Sequence, residues 1–186
     1  MMFADVVSGE LKKLGLAFCS ALCSFLINIY PIRSILNALG FKVPFLGLAL
    51  FGGFVFVFWI SISYRMLGKN YGVITALLIV SLCLLVSPWY GITNPEWFGV
   101  YGLISFFLMG FLTERLNGGF GNSVCLLINW LALGYHHNIW VQADLGIALI
   151  AISFISGFVG NKLALVIVKL FYKPIQRSSN FLVILI

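Results

Sequence analysis

Two short stretches hold most of the residues able to do chemistry in this chain. The first is Asn94-Pro95-Glu96-Trp97, at the head of an apolar run that ends at Thr113-Glu114-Arg115. Pro95 sits where a helix can begin without losing a backbone hydrogen bond. Glu96 follows in the first turn, where a carboxylate meets the positive end of the helix dipole. The chain has only five acidic residues, and an acid near membrane depth is a functional candidate by default. The plainer alternative is an interfacial acid that caps the helix. The second stretch is His136-His137-Asn138-Ile139-Trp140, followed by Asp144. Its rings and amide suit stacking on, and hydrogen bonding to, a small solute. Adjacent histidines can also ligate zinc, but zinc wants a third ligand and an ordered second shell. No His-x-x-x-His, His-Glu-x-x-His or zinc-type Cys pair accompanies them. A solute pocket is therefore preferred to a metal site, with an interfacial loop holding no ligand as the remaining reading.

Other chemistry finds little support. There is no nucleophile elbow, no phosphate-cradling loop of the Walker type and no pair of intramembrane acids. The chain is not expected to be an enzyme or to need a cofactor. If it moves a solute against a gradient, the energy must come from another subunit or from an ion.

The elements that position these residues follow from composition. Of 186 residues, 62% are hydrophobic and 9% charged, with a mean hydropathy of +1.10. A soluble domain carries about 25% charged residues, so the chain is expected to be a multi-pass protein of the cell membrane, embedded in the lipid bilayer. Six apolar runs can be counted: Leu14 to Tyr30 (ending at Pro31), Pro44 to Tyr64, Val73 to Ser87, Glu96 to Leu112, Gly119 to Tyr135, and Leu145 to Tyr172. The third and fifth are short for a span and would need tilting or local thinning. The runs are continuous rather than alternating, which disfavours a membrane barrel. The expectation is an all-α integral membrane protein, a compact bundle of six transmembrane helices over residues 1–173, with a polar and then apolar tail at 174–186. The run after Lys13 is too long for a signal-peptide core, so it is read as a first span kept in the mature chain. Cys19, Cys23, Cys83 and Cys125 all fall inside apolar runs and read as small apolar residues.

The net charge of +6 is read as an orientation signal rather than as a nucleic-acid footprint. With both termini cytoplasmic, Lys12, Lys13, Arg65, Lys69, Arg115, Lys169, Lys173 and Arg177 lie inside, and only Arg33 and Lys42 outside. The opposite orientation reverses that ratio, against the bias of basic residues toward cytoplasmic loops. The outer segments then hold Tyr90, Asn94, Glu96, Trp97, His136, His137, Asn138, Trp140 and Asp144. An interfacial aromatic belt accounts for Trp89 and Tyr90, but less well for the Glu, Asn and paired His. Small residues four apart let helices approach closely. Ala17-x-x-x-Ala21 has that spacing, and Gly52, Gly53, Gly99, Gly102, Gly110, Gly157 and Gly160 suggest tight packing.

Taken together, these features resemble the membrane-embedded substrate-binding subunit (S component) of energy-coupling factor (ECF) vitamin transporters, closest to the thiamine-type members. The resemblance runs from Ala17 to about Lys173. Six spans with both termini inside match that architecture. Ala17-x-x-x-Ala21 resembles the alanine motif by which such subunits dock on a transmembrane coupling subunit, which works with two ATPase subunits. Glu96-Trp97 and the glycine-studded helix after it resemble span four of the thiamine-type members, where an acid pairs with the substrate's positive ring. Leu126-Leu127-Ile128-Asn129-Trp130 and the stretch His136 to Trp140 resemble the fifth span and the loop that closes the pocket, and Ile155-Ser156-Gly157 resembles span six. The resemblance implies a vitamin-like substrate bound by Glu96, Trp97, Asn129, Trp130, His136, His137, Asn138, Trp140 and Ser153, and a coupling face at Ala17 and Ala21. Two departures point to a different ligand: the span-five histidine of thiamine-type members is replaced by the Trp130-Leu131-Ala132 region, and Ser153 stands where an amide is expected. A small metal-dependent intramembrane enzyme using His136, His137 and Asp144, and a membrane assembly subunit that transports nothing, are the competing classes.

Overall fold

The computed structural model describes residues 2–38, 45–86 and 98–172, all of it helical or in short turns, with no strand among the described residues. Six helices account for it. Helix α1 (Met2–Ile27) continues through a π-helical turn, Asn28–Ile32, into a last piece, Arg33–Ala38. Helix α2 (Leu46–Leu67) carries a π-helical turn at Gly53–Val57. Then come α3 (Tyr71–Val86), α4 (Phe98–Arg115), α5 (Gly118–His137) and α6 (Ala143–Ile167), the last ending in a π-helical turn to Tyr172. Among the described residues three segments, Gly9–Ile32, Leu46–Leu67 and Ala143–Phe171, are long and apolar enough to cross a membrane, and Tyr71–Leu85 is a shorter apolar helix. That is the make-up of a multi-pass membrane protein.

The helices start and stop where the local chemistry requires. Gly68 ends α2 with φ +107°, a conformation costly for any side chain. The Glu114 carboxylate at the end of α4 accepts backbone N–H groups at the start of α3, from Asn70 at 3.0 Å, Gly72 at 2.7 Å and Val73 at 3.2 Å. It satisfies donors that a helix start leaves open, and its charge faces the positive end of the dipole. Asn117 caps α5 through its side-chain oxygen, accepting from the Gly119 and Phe120 amides at 2.8 and 3.2 Å. Pro31, expected to end the first helix, does not. The wider π-helical turn takes up the proline ring and its missing N–H, and the chain stays helical to Ala38.

Successive helices from α2 to α6 pack as neighbours, and α2 also lies against α1 and α6. It is the central helix: 61% of its most apolar window is buried, against 22% for α1 and 33% for α6. The core gathers around Phe56, whose ring meets that of Phe106 edge-on at 5.1 Å, with Leu48, Ile60, Ile79, Met109 and Leu126 fully buried beside it. The closest backbone approaches join α2, α5 and α6. A methyl group added at Gly53 would strike the Ser156 carbonyl, one at Gly160 the Gly53 carbonyl, and one at Gly157 the Gly118 carbonyl. By contrast, Gly99, grouped with these by sequence, has no neighbour within reach of an added methyl among the described residues.

Ala17 and Ala21 correct an expectation. Both are completely buried within this chain, and Ala21 belongs to its own hydrophobic core. Their small side chains let α1 settle on α2 and α3, so the face is internal and is not open to a coupling subunit.

Gly53→Ala and Gly160→Ala are each expected to cost about 1–3 kcal/mol or more, because the added carbon meets rigid backbone rather than a side chain able to turn away. Gly15→Ala, with nothing nearby among the described residues, is the control and should leave the unfolding midpoint level or slightly raised. Thermal unfolding in detergent measures all three, and an unchanged midpoint for Gly53→Ala would rule out so close an approach.

Candidate functional site

Asn122, Asn129 and His136 lie seven residues apart along α5, a spacing that keeps them on one stripe. Two are buried in the bundle and His136 is exposed at its end. Facing them on α4, Ser105 and Tyr101 are four residues apart and so share a face. The two stripes meet in hydrogen-bonded rungs. Asn129 Nδ2 donates to Ser105 Oγ at 3.1 Å and to the Cys125 carbonyl at 2.8 Å. His136 Nε2 lies 3.3 Å from the Tyr101 hydroxyl, with the rings edge-on at 5.4 Å. A polar seam thus climbs between α4 and α5 from the core to the end of the bundle.

Tryptophans flank the seam. Trp130 is half-buried, its ring so close on Gly146 of α6 that a methyl there would collide with it. Trp140 lies against Gly134, and its Nε1 donates to Asn138 Oδ1 at 3.2 Å. Asn138 ends α5 in the left-handed region at φ 53°, a conformation that asparagine tolerates better than most residues. The turn carries the chain across to α6 and brings Trp140 back over α5.

Deeper along the same stripe, where α5 meets α2 and α6, Asn122 Nδ2 donates to the Ser153 carbonyl at 2.9 Å and the Leu48 carbonyl at 3.4 Å. Ser156 Oγ donates to the Leu50 carbonyl at 2.8 Å and accepts the Gly53 N–H at 3.1 Å, while the Ser24 hydroxyl donates to the Val55 carbonyl. Two of these bonds, Ser156 with the Gly53 N–H and Ser24 with the Val55 carbonyl, fall within the π-helical turn of α2. Several polar atoms nevertheless remain buried without a partner among the described residues: Asn129 Oδ1, Asn122 Oδ1, Trp130 Nε1 and Ser153 Oγ. An unmet buried polar atom costs about 1–3 kcal/mol, so water or a solute is the natural partner for such positions.

The structure therefore brings Asn129, Trp130, His136, Asn138 and Trp140 to one end of α5 and its turn. Ser153 is fully buried, with its carbonyl tied to Asn122 rather than to this group. Glu96 and Trp97 lie outside the described residues, as does the His137 side chain. Among the described residues no three His, Cys, Asp or Glu side chains come together as a metal cluster. Sequence reasoning missed Tyr101, Ser105 and Asn122. The signal was present in the matching four- and seven-residue spacings on α4 and α5, but it shows only once the two helices are known to be neighbours. No family model, no curated protein and no solved structure matches the chain. What the fold itself defines is an all-helical, multi-pass membrane protein.

The contact between Trp130 and Gly146 can be measured as a double-mutant cycle. Gly146→Ala alone is expected to cost about 1–3 kcal/mol through the displaced ring. Combined with Trp130→Leu it should cost much less, giving a coupling of at least about 0.5 kcal/mol. Strict additivity would show that the two do not touch.

Proposed function

We propose that this chain is a membrane-embedded subunit that captures a small, vitamin-like solute at the end of the bundle where α4 begins and α5 ends. The observation that carries this reading is the α4–α5 seam with its unmet acceptor. Polar residues often hold membrane helices together, but here Asn129 Oδ1 and Trp130 Nε1 are buried without a partner among the described residues, and a ligand would supply one. Helix association does not require the rung. Asn129 Nδ2 keeps the Cys125 carbonyl and Ser105 Oγ keeps the Gly102 carbonyl at 3.0 Å if the two part. The seam can open toward a ligand without losing either bond.

In the same reading all six helices span the bilayer, both termini are cytoplasmic, and the ligand end faces outward. The basic residues Lys12, Lys13, Arg65, Lys69 and Arg115 gather at the opposite end, which supports that orientation. The chain has no nucleotide-binding motif, so uptake would need a transmembrane coupling subunit and two ATPase subunits, as in ECF-type importers. The surface that meets the coupling subunit is not Ala17 and Ala21.

Aromatic faces at Trp130, Trp140 and Trp97 with the Glu96 carboxylate would favour a flat, cationic solute. Stacking and cation–π contact are worth about 0.5–2 kcal/mol per ring, and a charge-assisted hydrogen bond about 1.5–3 kcal/mol. For such a ligand Glu96→Gln is expected to weaken binding roughly ten- to hundredfold, at about 1.4 kcal/mol per factor of ten. Asn129→Leu should do the same, while shifting the unfolding midpoint of the ligand-free protein only slightly. Titration calorimetry with the solute that mass spectrometry recovers from the purified protein provides the measurement. The reading fails if no solute co-purifies and no vitamin or precursor raises the melting temperature.

Orientation is tested separately, by an impermeant thiol reagent on cysteine-free protein carrying one cysteine at position 138. Labelling of intact cells is expected, and labelling only after the membrane is opened would reverse the topology.

A further inference from the structure

A cleft of about 140 Å³ lies between α1 and α2, toward the end of the bundle where α2 finishes. Its walls include Leu16, Cys19 and Cys23 of α1 and Trp59, Ser63 and Met66 of α2. An apolar cavity of ~150 Å³ takes up a benzene ring, so a few methylene groups of an acyl chain would fill this one.

Two observations set the cleft apart from ordinary lipid-facing surface. The first is polar. Ser63 is 1% exposed and its hydroxyl has no partner among the described residues; Trp59 Nε1 is also buried and unpartnered. At 1.5 Å per residue these positions sit roughly 6 and 12 Å inside the end of α2 at Leu67, near the level where glycerolipid esters begin. Both groups are donors, and an ester carbonyl is an acceptor.

The second observation is charge. Lys12 precedes Leu16 by one helical turn and so lies on the same face of α1. Lys69 follows closely after Leu67, which also lines the cleft. Both lysines are exposed, and neither forms an ion pair among the described residues, whereas Lys13 is held by Glu10 at 2.7 Å. An apolar slot, two unmet donors at ester depth and two lysines beyond them follow the order of parts in a phospholipid.

We propose that this cleft binds one phospholipid with an anionic headgroup, its acyl chain between α1 and α2, its ester at Ser63 and Trp59, and its phosphate between Lys12 and Lys69. The site requires only that the chain lies in a bilayer. It is independent of solute capture at the opposite end, so either assignment can fail without the other.

The test uses the full chain in nanodiscs of phosphatidylglycerol or of phosphatidylcholine. Cys19 and Cys23 are exposed while Cys83 and Cys125 are buried, so alkylation by N-ethylmaleimide reports on the cleft. Alkylation of Cys19 and Cys23 is expected to be several-fold slower in phosphatidylglycerol, and native mass spectrometry should retain one such lipid. Lys12→Gln and Lys69→Gln lie on exposed positions outside the core and should fold normally. Each is expected to cut the preference for phosphatidylglycerol roughly fivefold, and Cys19→Trp should abolish retention by filling the slot. Equal protection and retention by the two lipids would overturn the proposal, as would an unchanged preference when both lysines are replaced. If that equal protection is strong in both lipids, the cleft is covered by a second copy or by the chain's own residues 174–186.

Discussion

The bundle depends on how closely the backbones of α2, α5 and α6 approach one another. Gly53 meets the Ser156 carbonyl, Gly160 meets Gly53, and Gly118 and Gly157 face each other, with no room for a side-chain carbon at any of them. In a membrane, lipid tails are as apolar as leucine, so burial of apolar surface supplies little force between helices. Dispersion contact and hydrogen bonds must do so, and both strengthen as the backbones close. Glycine is the residue that allows the approach. The π-helical turn at Gly53–Val57 belongs to the same arrangement: it disturbs the regular ladder of α2 where Ser24 and Ser156 are placed to receive or donate the displaced bonds.

From that centre the two ends of the bundle diverge. At one end the helices are tied across by specific partners: Glu114 to the start of α3, Glu10 to the Tyr71 hydroxyl at 2.6 Å, and Asn161 Oδ1 to Ser61 and Arg65 at 3.1 and 2.9 Å. At the other end the described ties are fewer and more exposed. The rung between His136 and Tyr101 is solvent-facing, Trp140 rests on Gly134 with its nitrogen held by Asn138, and Asn129 keeps an unmet oxygen below them.

Four residues show how far sequence pattern alone can mislead. Ala17 and Ala21 have the spacing of a helix-docking motif, but the same geometry serves packing inside one chain, and spacing carries no information on which helix is the partner. Pro31 reads as a stop, yet a π-helical turn absorbs it. Glu114 reads as a polar end to an apolar helix, but it caps a different helix, 41 to 44 residues earlier in the chain. In each case the residue's property was visible, and its partner was not.

The sequence by itself determined the class of protein and most of the elements. Long apolar runs of Leu, Ile, Val and Phe can satisfy their backbones in lipid only as helices, and Gly, Asn and Lys at the breaks mark most of the helix ends. It also marked Asn129, Trp130, His136, Asn138 and Trp140 as chemically capable. Tertiary structure alone decided which of these meet. Tyr101 and Ser105 enter the seam because α4 lies against α5 in one register, Ser153 stands apart because it lies on α6 and meets α5 only through its carbonyl at Asn122, and Ala17 and Ala21 are buried because α1 presents that face to α2 and α3. Helix periodicity places side chains on faces, but the choice of which faces touch rests on contacts between residues far apart in the chain.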